Sequence, residues 1–163
     1  MLDLGSGGGL PGIPLKVLFP RIHVTLLDSI DKKIRELEHI ISELALEGLR
    51  AVRARAEDLP AIVGEDAGFD AVIARAVAPL RQLAEWSLPL LTPGGRDLEA
   101  SGNKIVVPRG ALIAFKGGDT RKEIDEVRRR HRVRSIHEIP LVFDGSEEVS
   151  LTDKKIVLVQ FAS

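Results

Sequence analysis

Hydrophobic and polar positions along the chain alternate between two kinds of run. Short apolar stretches at residues 1–4, 23–28, 50–55, 69–74 and 111–116 have the length and flanking turn residues of buried strands. Between them, residues 11–19, 31–46, 59–63, 79–88 and 120–131 read as helices. The stretch 31–46 is the clearest. Ile34, Leu37, Ile41 and Leu44 fall on one face, Asp31 is placed to cap the start, and Gly48 to end the helix in a left-handed turn. Strands alternating with helices predict an α/β fold with a mostly parallel sheet. Residues 133–140 and 155–161 have no helix between them, which predicts an antiparallel pair at one edge of that sheet.

The first strand runs directly into five glycines between positions 5 and 12. Glycines at that density let a backbone bend sharply and approach a ligand closely, and the helix that follows points free N–H groups back at it. A nucleotide-like cofactor is the natural ligand. The spacing fits two classes. Gly7, Gly9 and Gly12 satisfy the dinucleotide pattern G-x-G-x-x-G, with Asp28 ending the second strand where an acid holds ribose hydroxyls. Asp3, two residues before Gly5, favours the other class. Its charge suits the cationic methionine end of S-adenosylmethionine and would repel a pyrophosphate. A turn without a ligand needs only one or two glycines.

Composition narrows the chemistry. In 163 residues, 44% apolar and 29% charged, one domain can bury a sizeable core. With no cysteine, disulfides, thiolate metal sites and cysteine nucleophiles are excluded, and the four histidines (23, 39, 131, 137) show no ligand spacing, so no metal is expected. A net charge of −1 argues against a globally basic nucleic-acid binder while allowing a local basic face. No apolar run approaches a membrane span, and the expected compartment is the cytoplasm.

The set Asp3-Leu-Gly-Ser-Gly-Gly-Gly-Leu-Pro-Gly-Ile-Pro14, Leu27-Asp-Ser-Ile-Asp-Lys-Lys33, Arg55-Ala-Glu57, Ala74-Arg-Ala76 and Phe115-Lys-Gly117 resembles the bacterial ribosomal small-subunit methyltransferase G family, also called glucose-inhibited division protein B. Order and spacing match over about residues 1–118. The resemblance implies a class I, Rossmann-like S-adenosylmethionine-dependent methyltransferase that acts on N7 of one guanine in 16S rRNA. It places cofactor contacts at Gly5, Leu10, Ala56, Glu57 and Arg75, with Asp28 on the ribose; Asp3 and Gly7 complete the loop. Lys32, Arg55 and Lys116 match basic positions that contact RNA phosphates, and Arg75 and Lys116 stand where developing charge is stabilised. Guanine N7 already carries a lone pair, so catalysis reduces to alignment and needs no general base. The expected partner is 16S rRNA or the small ribosomal subunit, met by a monomer. The alternatives are an inactive methyltransferase-fold protein that binds only RNA or cofactor, and a dinucleotide-binding oxidoreductase.

Three further features are specific to this chain. Family members carry a helical segment before the first strand, so an N-terminally short form of a single domain spanning 1–163 is expected. Residues 96–110 read as a polar surface insertion, with a turn at Ser101-Gly-Asn103 and a small edge strand at 104–107. Residues 121–134 carry seven Lys/Arg against three acids, which reads as a solvated helix end with favourable dipole placement or as a patch for rRNA phosphate. Trp86, the lone tryptophan, lies on an apolar helix face.

Overall fold

The computed structural model describes residues 1–64, 68–92, 99–101, 104–106, 109–142 and 153–162. Its centre is a seven-stranded sheet. The strands are β1 (Leu2–Leu4), β2 (Val24–Asp28), β3 (Leu49–Arg53), β4 (Ala71–Arg75), β7 (Ala111–Gly117), β8 (Val133–Pro140) and β9 (Lys154–Phe161). They lie in the order β3-β2-β1-β4-β7-β9-β8, the first five mutually parallel and β9 antiparallel to both β7 and β8. The expected antiparallel pair is present, with β9 inserted between β7 and the edge strand β8. The helices are α1 (Gly12–Leu18), α2 (Asp31–Leu44), α3 (Leu59–Val63), α4 (Leu80–Ser87) and α5 (Arg121–Arg130). A single 3-10 turn at Ala56–Asp58 precedes α3.

Alternating strand residues divide the core between the two faces of the sheet. Leu2, Leu4, Leu27, Val72, Leu112 and Val159 pack with Leu80 and Leu83 of α4 and with Ile124 and Val127 of α5. On the other face, Val24, Leu26 and Leu49 pack with Ile34 and Leu37 of α2. Strands β1, β2 and β4 are largely buried on both faces, which is why they read as near-continuous apolar runs, interrupted only by Asp3 in β1 and by Thr25 and the terminal Asp28 in β2, before β4 ends at Arg75.

Local details depart from the sequence reading in instructive ways. Asp31 does not cap α2: the cap position is Ile30, and the Asp31 carboxylate instead pairs with Arg35 and Arg53. The left-handed residue ending α2 is Ala45 (φ 47°), while Gly48 (φ 73°) turns the chain into β3. Leu44, expected on the apolar face of α2, is exposed. Phe69 makes only an isolated bridge to Leu91, so β4 begins two residues later than its apolar run. Within the expected insertion, β5 (Glu99–Ser101) and β6 (Lys104–Val106) form a separate antiparallel hairpin. Residues 96–98, 102, 103, 107 and 108 of that segment, including most of its expected turn, lie outside the described residues. Arg109 and Gly110 belong to the body of the fold, since Arg109 pairs with Asp70 and the Gly110 N–H donates to the Asp70 carbonyl.

The glycine loop is fastened to the sheet by a buried carboxylate. Asp3 is 1% exposed, and its Oδ2 accepts the Gly12 N–H, the first of α1, at 2.9 Å. A Cβ on residue 12 would come within 2.4 Å of Leu26 Cδ2 and 2.6 Å of Asp3 Oδ2, so only glycine lets the helix start so close to β1. Burial pushes the Asp3 carboxyl up to about 6, against the opposing pull of the Gly12 and Ser6 hydrogen bonds and the Arg75 charge.

Replacing residues 96–108 with a short linker, leaving the Arg109–Asp70 pair intact, should preserve a single cooperative thermal transition, because among the described residues β5 and β6 pair only with each other. Loss of cooperativity would place the hairpin in the core. A second prediction concerns pH. A raised carboxyl pKa stabilises the fold while the proton is on, so this contribution is complete below pH 3.8 and lost as pH rises through about 6. Asp3→Asn removes the titration. Relative to wild type the variant should therefore gain stability between pH 4 and 7, by roughly 3 kcal/mol. Paired denaturant melts across that range measure it, and a flat difference would refute the assignment.

Candidate functional site

The sheet reverses direction of growth between β1 and β4: the chain proceeds outward from β1 through β2 to β3, then crosses back to begin β4 on the other side. Loops leaving the carboxyl ends of β1 and β4 must diverge there, and a crevice results. Two adjoining cavities open in this region. The first, of about 430 Å³, is bounded by Gly5 after β1, Asp28 and Ile30 after β2, Arg55, Ala56 and Glu57 after β3, and Gln82 and Trp86 of α4. The second, of about 660 Å³, lies beside Arg75 and Lys116 and runs to Glu123 and Lys154. Ala76 and Val77, which follow β4, line both.

Of the residues the sequence pointed to, Gly5, Asp28, Arg55, Ala56 and Glu57 converge on the first cavity and Arg75 and Lys116 on the second. Asp3, Gly7, Leu10 and Lys32 line neither. Asp3 lies beneath the loop. Gly7 (φ 57°) donates its N–H to Asp28 Oδ2 at 3.0 Å, while Asp28 Oδ1 accepts the Ile30 N–H at 2.9 Å. Asp28 thereby joins the glycine loop to the start of α2. A Cβ at position 7 would meet nothing closer than 4.0 Å, so the constraint there is the backbone angle, whereas at Gly5 (φ 71°) a Cβ would come within 2.6 Å of Val77.

Lys32 projects into solvent and pairs weakly with Glu36 at 3.9 Å. Its neighbour Lys33 is the cleft lysine, with Nζ 3.7 Å from Asp28 Oδ2. One step along a helix turns a side chain by about 100°, and the spacing to Leu37 and Ile41 was the signal that puts Lys33, not Lys32, at the edge of the inward face. Arg55 stands exposed at the rim. Glu57 is likewise exposed and makes no capping bond to α3. Gln82 and Trp86 were missed as site residues; their i, i+4 spacing on α4 is the signal that places them on one face.

Arg75 is exposed and, among the described residues, pairs with neither Asp70 nor Glu57; Asp70 is taken by Arg109. Lys116 differs from the free phosphate-binding lysine that the sequence suggested. Its side chain is only 13% exposed, with Nζ 2.7 Å from Glu123 Oε2 and donating to the Ala78 carbonyl at 3.0 Å. Glu123 Oε2 also accepts the Leu80 N–H at the start of α4. Burial opposes the charge on Glu123, but the Lys116 and Leu80 hydrogen bonds and the lysine's field outweigh it and hold the carboxyl below the usual range. The arginine run 128–130 occupies the last turn of α5, the end remote from Glu123, where it complements the helix dipole. No group of residues with metal-ligand character occurs among the described residues, and none of their helices is long and apolar enough to cross a membrane.

Comparison with known proteins agrees with this geometry. Among solved structures, an rRNA methylase from Streptococcus thermophilus superposes with a TM-score of 0.63 at 17% identity, over 99% of this chain and 86% of that one. The CurJ carbon methyltransferase superposes with a TM-score of 0.67 at 16% identity, over 99% of this chain and 48% of the other. At such identities the likeness speaks for the fold, which is that of the class I S-adenosylmethionine-dependent methyltransferases. Sequence relatives are closer. The Ribosomal RNA small subunit methyltransferase G of Roseiflexus castenholzii is 46% identical over 125 residues, covering 72% of this chain and 52% of that protein. Its counterpart from Chlorobaculum tepidum is 36% identical over 166 residues, covering 99% and 66%. The chain thus spans about half to two thirds of the length of these curated relatives. The family model for rRNA small subunit methyltransferase G matches residues 1–152, well past the stretch that carried the motifs, and the chain belongs to that family.

Proposed function

We propose that this protein is an S-adenosylmethionine-dependent methyltransferase that places a methyl group on N7 of a guanine in 16S rRNA, acting as a monomer in the cytoplasm on free rRNA or the small ribosomal subunit. The observation that carries the reading is the pair of adjoining cavities at the switch point, one walled by backbone and carboxylates, the other by cations and apolar side chains. The first cavity fits the cofactor. At Gly5 the backbone forms a wall that a Cβ would disrupt, and Asp28 keeps lone pairs for ribose hydroxyls beyond the two N–H groups it already accepts. Ala56 and Glu57 stand on the adenine side, with Trp86 as an apolar wall. Asp3 acts from beneath through its charge, while Gly7 and Leu10 shape the loop.

When bound, S-adenosylmethionine supplies an electrophilic methyl group, which passes to the N7 lone pair as the carbon–sulfur bond breaks. The protein's contribution is alignment, and no side chain has to remove a proton. Ala76 and Val77, shared by the cavities, form the wall past which donor and acceptor meet. Arg75 orders the target base there, Lys116 borders the acceptor side, and Arg55 and Lys33 at the rim of the first cavity receive phosphates.

Calorimetry should detect S-adenosylmethionine binding, and mass spectrometry should find 7-methylguanosine in 16S rRNA incubated with protein and cofactor; binding of NAD instead would overturn the reading. Arg75→Ala should lower single-turnover methyl transfer at saturating cofactor by about 10²-fold while cofactor affinity changes far less, and Arg75→Lys should recover only part of the rate. Equal loss of stability and affinity, with an unchanged rate per loaded enzyme, would make Arg75 structural.

A further inference from the structure

The second cavity contains a polar pair whose bonding capacity is only partly used. Lys116 has three N–H donors. Two are committed, to the Ala78 carbonyl and to Glu123 Oε2, and the third has no acceptor among the described residues. Glu123 Oε2 accepts from Lys116 and from the Leu80 N–H, whereas Oε1 accepts nothing among the described residues. A donor and an acceptor therefore stand side by side in one cavity, flanked by the apolar surfaces of Val77, Leu83 and Leu141. Their carrier groups are fixed: the ammonium is pinned to a backbone carbonyl, and the carboxylate is pinned to the first turn of α4.

A purine edge can satisfy such a pair in only one polarity. Guanine presents an acceptor, O6, next to the donors N1–H and N2–H; adenine presents a donor, the 6-amino group, next to the bare acceptor N1. We propose that Lys116 and Glu123 are the guanine-reading element of the acceptor cavity, Lys116 donating to O6 and Glu123 Oε1 accepting from N1–H and the 2-amino group. The inference rests on the methyl-transfer reading above. Adenine in the same pose would set ammonium against amino group and carboxylate against N1, leaving both charges unpaired. Held by that edge, the base turns its imidazole ring, with N7, away from α5 and toward the wall of Ala76 and Val77 that borders the first cavity.

The placement also matches the charge that the reaction creates. Transfer of a methyl cation to N7 leaves the purine positive, and the N1–H becomes a stronger donor as it does so. An ionised Glu123 on that proton binds the transition state more tightly than the ground state. Lys116, expected from the resemblance to stabilise developing charge, cannot do so for a base that turns positive; its part is to keep the carboxylate ionised and turned toward the base.

The experiment uses the full chain and three nucleotide probes, GMP, IMP and AMP, titrated by protein NMR with and without S-adenosylmethionine. IMP keeps O6 and N1–H but lacks the 2-amino group. Wild type should bind in the order GMP, IMP, AMP, with at least about a tenfold span from first to last. Glu123→Gln retains an acceptor for the Leu80 N–H and should fold, but its preference for GMP over AMP should shrink to about threefold or less, with S-adenosylmethionine affinity unchanged. Equal binding of GMP and AMP by the wild type, or an undiminished preference in Glu123→Gln, would overturn the assignment while leaving the methyltransferase reading intact. Guanine preference without any cofactor binding would do the reverse. The wild-type order is informative by itself should the variant melt early.

Discussion

A single buried carboxylate holds together the parts on which the site depends. Asp3 sits in β1, an interior strand between β2 and β4, and reaches forward to the first N–H of α1. That bond sets the span of the loop from residue 5 to residue 12, and the lack of a Cβ at Gly12 makes the approach possible. A charged group in that position is held against the cost of desolvation, as its raised pKa shows. The loop is secured again from the other side, where Asp28 accepts the Gly7 N–H. Two acids at the ends of adjacent strands thus hold the glycine backbone in a defined shape before any ligand arrives.

The rest of the site follows from where the strands end. Parallel strands deliver all their carboxyl termini to one rim, so residues distant in sequence, such as Gly5, Asp28, Glu57 and Arg75, reach one crevice. The antiparallel β9 contributes its opposite end to that rim, which brings Lys154 beside Lys116 and Gly117. Helix α5 then enters at the same rim, and its first turn delivers Glu123 to Lys116 and to the start of α4. This small junction ties β7, α4 and α5 together and lines the second cavity, so one ion pair both braces the fold and faces the cleft.

Much of this was legible in the chain. Apolar runs bounded by turn residues gave the central parallel strands, because strands buried on both faces leave no room for polar alternation. Five glycines after an acid-bearing strand marked the loop, and acids or basic residues immediately after strands two to four marked the rim, since strand ends are where a parallel sheet presents side chains to a ligand. What local pattern could not resolve was partnership. Rotation was legible: the period that aligns Ile34, Leu37 and Ile41 also sets Lys33 one turn before Leu37, at the edge of the inward face, and Lys32 on the opposite side, where it pairs only with Glu36. Asp31 satisfies the rules for a helix cap, yet Arg53 of β3 lies close enough to take it.

The sequence by itself determined the fold class, the glycine loop and the family, because these depend on periodicity, on residues without a Cβ and on motifs contiguous in the chain. The tertiary structure alone decided the state of the charges. Asp3 becomes a buried fastener because a helix begins against it, and Lys116 becomes one half of a pinned pair because α5 returns to the cleft seven residues later. The physical reason is common to both: the energy of a charge is set by the solvent it loses and the partners it gains, and both are settled by packing between elements that the linear order keeps apart.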